Sequence, residues 1–278
     1  MVFADLELAK RLERTEGRSA LEFAEARARL DPTSGASWIE CAGAYAIFDG
    51  IDSPITQCFG LGLFEALTPA SLDTIERFFL DRGAPVMHEV SPLAGVAAID
   101  LLCMRGYRPI ELSTVLQQPV TRPFGKMPDG VIVRLATQEE STQWAGISAR
   151  GWAHQHPELR DFIEQFGLIG FARDHGANFI AEIDGQPGAT GGLHLHDGVA
   201  LFAGATTVPE MRRRGLQAAL LEARMNYAFE NGCELAMMVT EVGSQSQRNA
   251  ERTGFRVAYT RTKWRLNSAG QSRQRRDL

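Results

Sequence analysis

Thr206-Thr207-Val208-Pro209-Glu210-Met211-Arg212-Arg213-Arg214-Gly215-Leu216-Gln217-Ala218-Ala219-Leu220-Leu221 is the stretch on which the reading of this chain turns. Ahead of it, residues 200–208 form an apolar run of strand type. Behind it, a helix is expected over about 212–231, with Leu216, Leu220, Ala223 and Tyr227 on one face. A basic, glycine-containing turn joins the two. A helix start presents unpaired backbone N–H groups and the positive end of the helix dipole. Gly215 has no side chain to obstruct an approaching anion. Three adjacent arginines in a first turn oppose that dipole by about a few tenths of a kcal/mol each. A bound pyrophosphate would relieve this repulsion; a solvated basic turn is the plainer alternative.

Working outward, Gly232 is the expected C-terminal stop of the helix. Residues 234–240 are almost all apolar, as in a strand buried on both faces of a parallel βαβ unit. A short helix over 244–253 ends at Gly254, and a bent strand follows over 255–266. Upstream, strands are expected at 131–135, 178–183 and 189–194, with helices at 137–150 and 157–172.

In that order, residues 200–266 resemble the acetyl-CoA-binding core of the GNAT acetyltransferases. The family's Arg/Gln-x-x-Gly-x-Gly/Ala pattern after a Val-Pro strand end is matched by Val208-Pro209 and Arg212-Arg213-Arg214-Gly215-Leu216-Gln217. Gln217 departs from the last position, where it lengthens the side chain but leaves the backbone N–H in place. Asn249-Ala250-Glu251-Arg252-Thr253-Gly254-Phe255 matches the helix that ends in Gly-Phe. The resemblance implies that acetyl-CoA is the acyl donor and that a primary amine of a small molecule or peptide attacks it directly. It implies that strand 200–208 splays from strand 234–240 to admit the pantetheine arm. Thr206, Thr207 and Val208 would meet that arm, and a backbone N–H near Thr206 would polarise the thioester carbonyl. Backbone groups of Arg213, Arg214, Gly215, Leu216, Gln217 and Ala218 would hold the pyrophosphate, with Asn249 on the later helix.

Direct attack needs a neutral amine, so a proton acceptor helps at neutral pH. The candidates are Glu241, at the end of the buried strand, and His194 and His196, which alternation puts on one strand face. Each also has a plain structural reading, as a solvated carboxylate or surface histidines. Many family members place a tyrosine four residues before the Gly of the Gly-Phe; here that position is Ala250. Tyr259 is close in sequence but reads as a packed residue of the last strand. Trp152-Ala153-His154-Gln155-His156-Pro157 falls where the family borders its acceptor site.

The first half reads as a diverged copy. Arg105-Gly106-Tyr107-Arg108-Pro109 parallels Thr253-Gly254-Phe255-Arg256-Val257, and His88-Glu89-Val90 parallels Thr240-Glu241-Val242. It lacks a basic glycine turn, because the corresponding stretch is Leu67-Thr68-Pro69-Ala70-Ser71-Leu72, with Thr68 an N-cap and Pro69 at N1. A helix over 3–30, broken at Gly17, strands at 44–48, 56–64, 85–90 and 107–118, and a helix over 95–104 complete it. The expected fold is α/β (α+β): two GNAT-like domains, each a mixed sheet flanked by helices. They are placed at 1–120, degenerate, and 131–266, acetyl-CoA-binding. A Pro- and Gly-rich linker at 121–130 and a disordered tail at 267–278 are expected around them.

A chain of 278 residues has room for two such cores. Its net charge of −5 argues against bulk attraction to nucleic acid, and against an aminoacyl transferase that uses charged tRNA. No apolar run is long enough for a membrane span, and the first residues have no signal-peptide core. Cys41, Cys58, Cys103 and Cys233 show no metal-binding spacing and read as thiols of a reducing compartment. A cytoplasmic acetyltransferase without a metal is the expectation; a CoA-binding regulator without turnover is the rival. Oligomeric state is not legible.

Overall fold

The structure, a computed structural model, describes residues 3–121, 130–154 and 157–267. The first elements are α1 (Leu6–Leu30), β1 (Ser37–Cys41), β2 (Ala44–Phe48), β3 (Gln57–Phe59), α2 (Pro69–Leu80), β4 (Met87–Val90), α3 (Val96–Met104) and β5 (Tyr107–Pro119). They are followed by β6 (Val131–Leu135), α4 (Ser141–Trp152), α5 (Arg160–Phe171), β7 (Gly176–Ile183), β8 (Gln186–His196), β9 (Val199–Thr207), α6 (Leu216–Glu230), β10 (Leu235–Glu241), α7 (Gln245–Arg252) and β11 (Arg256–Leu266).

The chain divides into two compact units, residues 1–117 with 239–278, and residues 118–238. This corrects the expected division into 1–120 and 131–266: the last stretch groups with the first unit. The reason is a strand exchange. β11 runs antiparallel to β4, from Thr262↔Val90 to Arg265↔Met87, and antiparallel to β5, from Arg256↔Gln117 to Leu266↔Tyr107. It is therefore an inner strand of the first unit. Most of the expected linker and all of the tail beyond Asn267 lie outside the described residues.

In the first unit the strand order is β1-β2-β3-β4-β11-β5, with β3 and β4 parallel at Cys58↔His88 and the other pairs antiparallel. One core packs Leu72, Ile75 and Phe79 of α2 with Val86, Val90 and Leu102. Another packs Ala20, Leu21 and Ala24 of α1 against Tyr45, Ile47 and Phe59. Fully burying a side chain such as Leu21 or Phe59 is worth about 1.5–3 kcal/mol. α1 is one helix, not two. A Cβ on Gly17 would lie 2.9 Å from Tyr45 and 3.3 Å from Phe59, so this glycine brings helix and strands together rather than breaking the helix. The expected strand at 56–64 shortens to three residues, and β1 was not expected.

The second unit, which takes in β10 as far as Met238, orders its strands β10-β9-β8-β7-β6, again with one parallel pair. Trp144 and Ala145 of α4 pack with Phe171 and Ile180, and the Trp144 indole donates to the Phe179 carbonyl at 3.0 Å. Both units are thus mixed sheets flanked by helices, as expected. Within each, the same strand–helix–strand passage recurs: β3-α2-β4 in the first, β9-α6-β10 in the second.

Candidate functional site

β9 and β10 pair only at Val199↔Leu235, Ala200↔Ala236 and Leu201↔Met237. Among the described residues no register pair with β10 continues over Ala203–Thr207, so that edge of β9 carries unpaired backbone. On its other side β9 is held by β8, with a bulge between Thr190/Gly192 and Thr206/Ala203. Ala203 and Gly204 are exposed at the bulge, in the middle of the sheet. A bulge of this kind re-aims backbone groups next to a site.

The turn after β9 is not helical through the arginines, as had been expected from 212 onward. The helix begins at Leu216, because Arg213 (φ 62°) and Gly215 (φ 86°) take left-handed conformations that an α-helix cannot contain. Gly215 is the N-cap, and no side chain caps the helix. The first turn closes with Ala219 N–H donating to the Gly215 carbonyl at 3.0 Å. Among the described residues, the backbone N–H groups of Leu216, Gln217 and Ala218 have no backbone acceptor. Arg213, Arg214, Gln217 and Ala218 are exposed around this open end.

The corresponding helix of the first unit is closed. Thr68 Oγ1 accepts from Ser71 N–H at 3.1 Å, Ser71 Oγ accepts from Thr68 N–H at 3.0 Å, and Pro69 has no N–H. There the capping box satisfies the third-position donor and proline removes the first, two of the three that α6 leaves open.

Two side chains brace the open turn. Gln217 Nε2 donates to Thr207 Oγ1 at 2.8 Å, so the residue that departs from the family pattern ties the helix to the strand end. Arg212 donates from Nε to the Thr207 carbonyl (3.2 Å) and from Nη2 to the Gly151 carbonyl (3.2 Å). Its guanidinium also lies 3.0 and 3.2 Å from the two ring nitrogens of His154, of which a neutral imidazole offers one as acceptor. α4 approaches closely because residue 151 is glycine: a Cβ there would fall 2.7 Å from Thr206 Cγ2 and closer still to Oγ1. Gly151, Arg212 and His154 are the positioning residues that sequence reasoning left out of the site. Arg212 carried a signal as part of the pattern and His154 as part of the segment expected to border the acceptor site; Gly151 carried none.

The other expected site residues divide. Thr206 and Thr207 are buried at the end of β9. At Val208 the N–H donates to the Gly188 carbonyl (2.9 Å) and the carbonyl accepts from Met211 N–H (3.0 Å). Asn249 is on exposed α7, in the first unit, with its amide oxygen accepting from Gln245. His194 is not a surface residue; it is 1% exposed on β8 opposite Leu201. His196 lies opposite Val199. From Leu201 to Thr207 is six residues, about 20 Å along a strand, so neither histidine is brought to the open turn, although His194 lies two residues from the bulge at Gly192↔Ala203. Glu241 is exposed and groups with the first unit. Ala250 is buried. Tyr259 is also buried and donates to Glu13 at 2.9 Å, which confirms it as a packed residue. His156 and Gln155 lie outside the described residues.

Among the described residues no cluster of three or more His, Cys, Asp or Glu could hold a metal ion. No described helix is long and apolar enough to cross a membrane.

Residues 136–255 match the family described as "Acetyltransferase (GNAT) family". A GCN5-related N-acetyltransferase from Kribbella flavida superposes with a TM-score of 0.68 at 19% identity, over 94% of this chain and 96% of that one. A tandem GNAT protein from the clavulanic acid biosynthesis pathway superposes with a TM-score of 0.57 at 12% identity, over 95% and 96%. A GCN5-related N-acetyltransferase from Sphaerobacter thermophilus gives 0.53 at 18% identity, over 80% and 76%. At these identities the likeness is one of fold. No curated protein matches the sequence.

Proposed function

Given that residues 136–255 match the model of the GNAT acetyltransferase family, we propose that the protein transfers an acetyl group from acetyl-CoA to a primary amine of a small molecule or peptide. The observation that carries this reading is the uncapped start of α6, with Gly215 at its N-cap and Arg213 and Arg214 exposed beside it. A pyrophosphate fits such an end: open N–H donors and the helix dipole meet its charge, and no Cβ stands in the way. The unpaired edge of β9 over 203–207 suits an extended amide-bearing arm, which pairs as a strand would. In the transfer, the amine lone pair attacks the thioester carbonyl carbon, the nitrogen gives up one proton, the C–S bond breaks, and the departing thiolate takes up one proton to leave as CoA thiol. Backbone N–H groups at the β9 bulge would serve the developing oxyanion.

Of the three proton acceptors considered, Glu241 is the proposed one. Its side chain has no ion pair or hydrogen bond among the described residues, whereas His194 is sealed within the second unit and His196 shares its end of the hairpin. The reaction runs in the cytoplasm on this reading. A second reading, acetyl-CoA binding without turnover, draws on buried Ala250 at the position where the family often carries a tyrosine.

Calorimetric titration of acetyl-CoA, followed by release of CoA thiol across a panel of amines, tests both. Binding with amine-dependent thiol release supports the transferase. Binding without release under any amine supports the second reading. An absence of binding removes both.

A further inference from the structure

The first unit holds a groove of about 930 Å³ lined by Pro109, Ile110, Glu111, Leu112, Glu241, Val242, Thr262 and Trp264. All eight residues belong to that unit. Its volume is within the range of small-molecule sites. The groove lies at an irregularity of the sheet: the β5–β11 register jumps from Glu111↔Lys263 to Pro109↔Trp264, leaving Ile110 as the extra residue of a bulge. Ile110 and Leu112 are each 51% exposed and Val242 46%, while Trp264 forms a buried floor at 9%. Three large apolar side chains half in water on one concavity lose free energy until something covers them.

Charge says what covers them. The lining contains two carboxylates and no cation. Glu111 is matched by Lys263 at 2.9 Å, which also meets Glu89 at 3.3 Å. Glu241 has no ion pair and no side-chain hydrogen bond among the described residues. Its sequence counterpart Glu89 is 3% exposed and paired with Arg261 and Lys263. The two copies have thus parted: one glutamate is locked into the fold and the other is left open in an apolar groove.

We propose that this groove binds a small primary amine with an apolar alkyl or aromatic body, its ammonium on Glu241 and its body on Ile110, Leu112, Val242 and Trp264. This rests on the reading of Glu241 as the group that meets the acceptor amine, and narrows that acceptor to an amphipathic one.

The test titrates n-hexylamine, 1-hexanol and hexanoate into the full chain and its variants at pH 7.5. Hexylamine binds at least tenfold more tightly than hexanol, and hexanoate does not bind. Glu241→Gln, a near-isosteric change on an exposed side chain, brings hexylamine down to the level of hexanol. Ile110→Ala weakens both. Hexanol binding as tightly as hexylamine, or hexylamine affinity unchanged in Glu241→Gln, overturns the proposal. Acetyl-CoA titrated into the same samples keeps the two readings apart. Loss of amine binding with acetyl-CoA binding intact strikes only the groove, and the reverse strikes only the proposed transferase.

Discussion

Arg261, on the last strand, donates from Nη1 to a carboxylate oxygen of Glu13, on the first helix, at 3.0 Å, with both side chains all but shut off from water. Around this pair, Arg261 also holds Glu16 (2.8 Å), Glu89 (3.1 Å) and Ser113 (3.1 Å), and Tyr259 donates to Glu13. One guanidinium gathers α1, β4, β5 and β11. Removing one partner from such a network leaves buried charge uncompensated, at about 3–5 kcal/mol. Arg261→Ala should lower the unfolding free energy of the first unit, read from urea titration, accordingly, and a value within about 1 kcal/mol of the parent would contradict this assignment.

The same network makes stability depend on pH. Burial, with Glu16 and Glu89 adding to it against the opposing pull of Arg261, raises Glu13 from its ordinary 4.5 to about 7. The folded protein then holds this proton more tightly than the unfolded chain. The contribution is complete below about 4.5 and is lost as pH rises through about 7. Melting temperature should therefore fall between pH 5 and pH 7.5 by a component that Glu13→Gln abolishes. The comparison is of slopes, since the substitution also changes the level. Equal slopes in the two proteins would rule the mechanism out.

Gly215 separates strain from charge. Its φ of 86° costs any other residue about 1–3 kcal/mol. Gly215→Ala and Gly215→Glu should lose similar stability by thermal melting. Acetyl-CoA affinity should divide them: weakened by alanine, lost with glutamate, whose carboxylate repels the phosphates. Equal affinity in the two variants would place the pyrophosphate elsewhere.

Gly151 sets the distance between α4 and β9. Gly151→Ala drives a methyl into the Thr206 side chain. Overpacking of this kind costs about 1–3 kcal/mol. Thr206→Ala should recover part of that loss, so a double-mutant cycle should show the pair coupled. Additive losses would mean that the helix yields instead.

What the sequence made legible was what local chemistry decides. The β9 run, the glycine turn, the α6 stripe and the apolar β10 lie within about 40 consecutive residues, and each element announces itself by periodicity or by a breaker. The turn's detail was less visible, because left-handed Arg213 is set by the loop's closure and not by any preference of arginine. The parity of His194 and His196 was readable, but that the shared face is covered depends on packing from elsewhere. Gly17 looked like a helix break because a glycine that admits a neighbour and one that ends a helix read alike. The partners of β11 were hidden altogether: its pattern is that of a strand in any sheet, and its neighbours β4 and β5 precede it by well over a hundred residues.

That exchanged strand has a consequence in time. During synthesis, residues up to Gln117 are made roughly 140 residues before Arg256, an interval on the order of ten seconds at about 5–20 residues per second. Throughout it, β4 and β5 lack the strand that belongs between them, and Glu13 and Glu89 lack Arg261. The second unit, residues 118–238, has its parts to hand first. On the ribosome the usual order is then reversed: the earlier-made half waits, open-edged and in need of protection, for the later-made half to deliver its last strand.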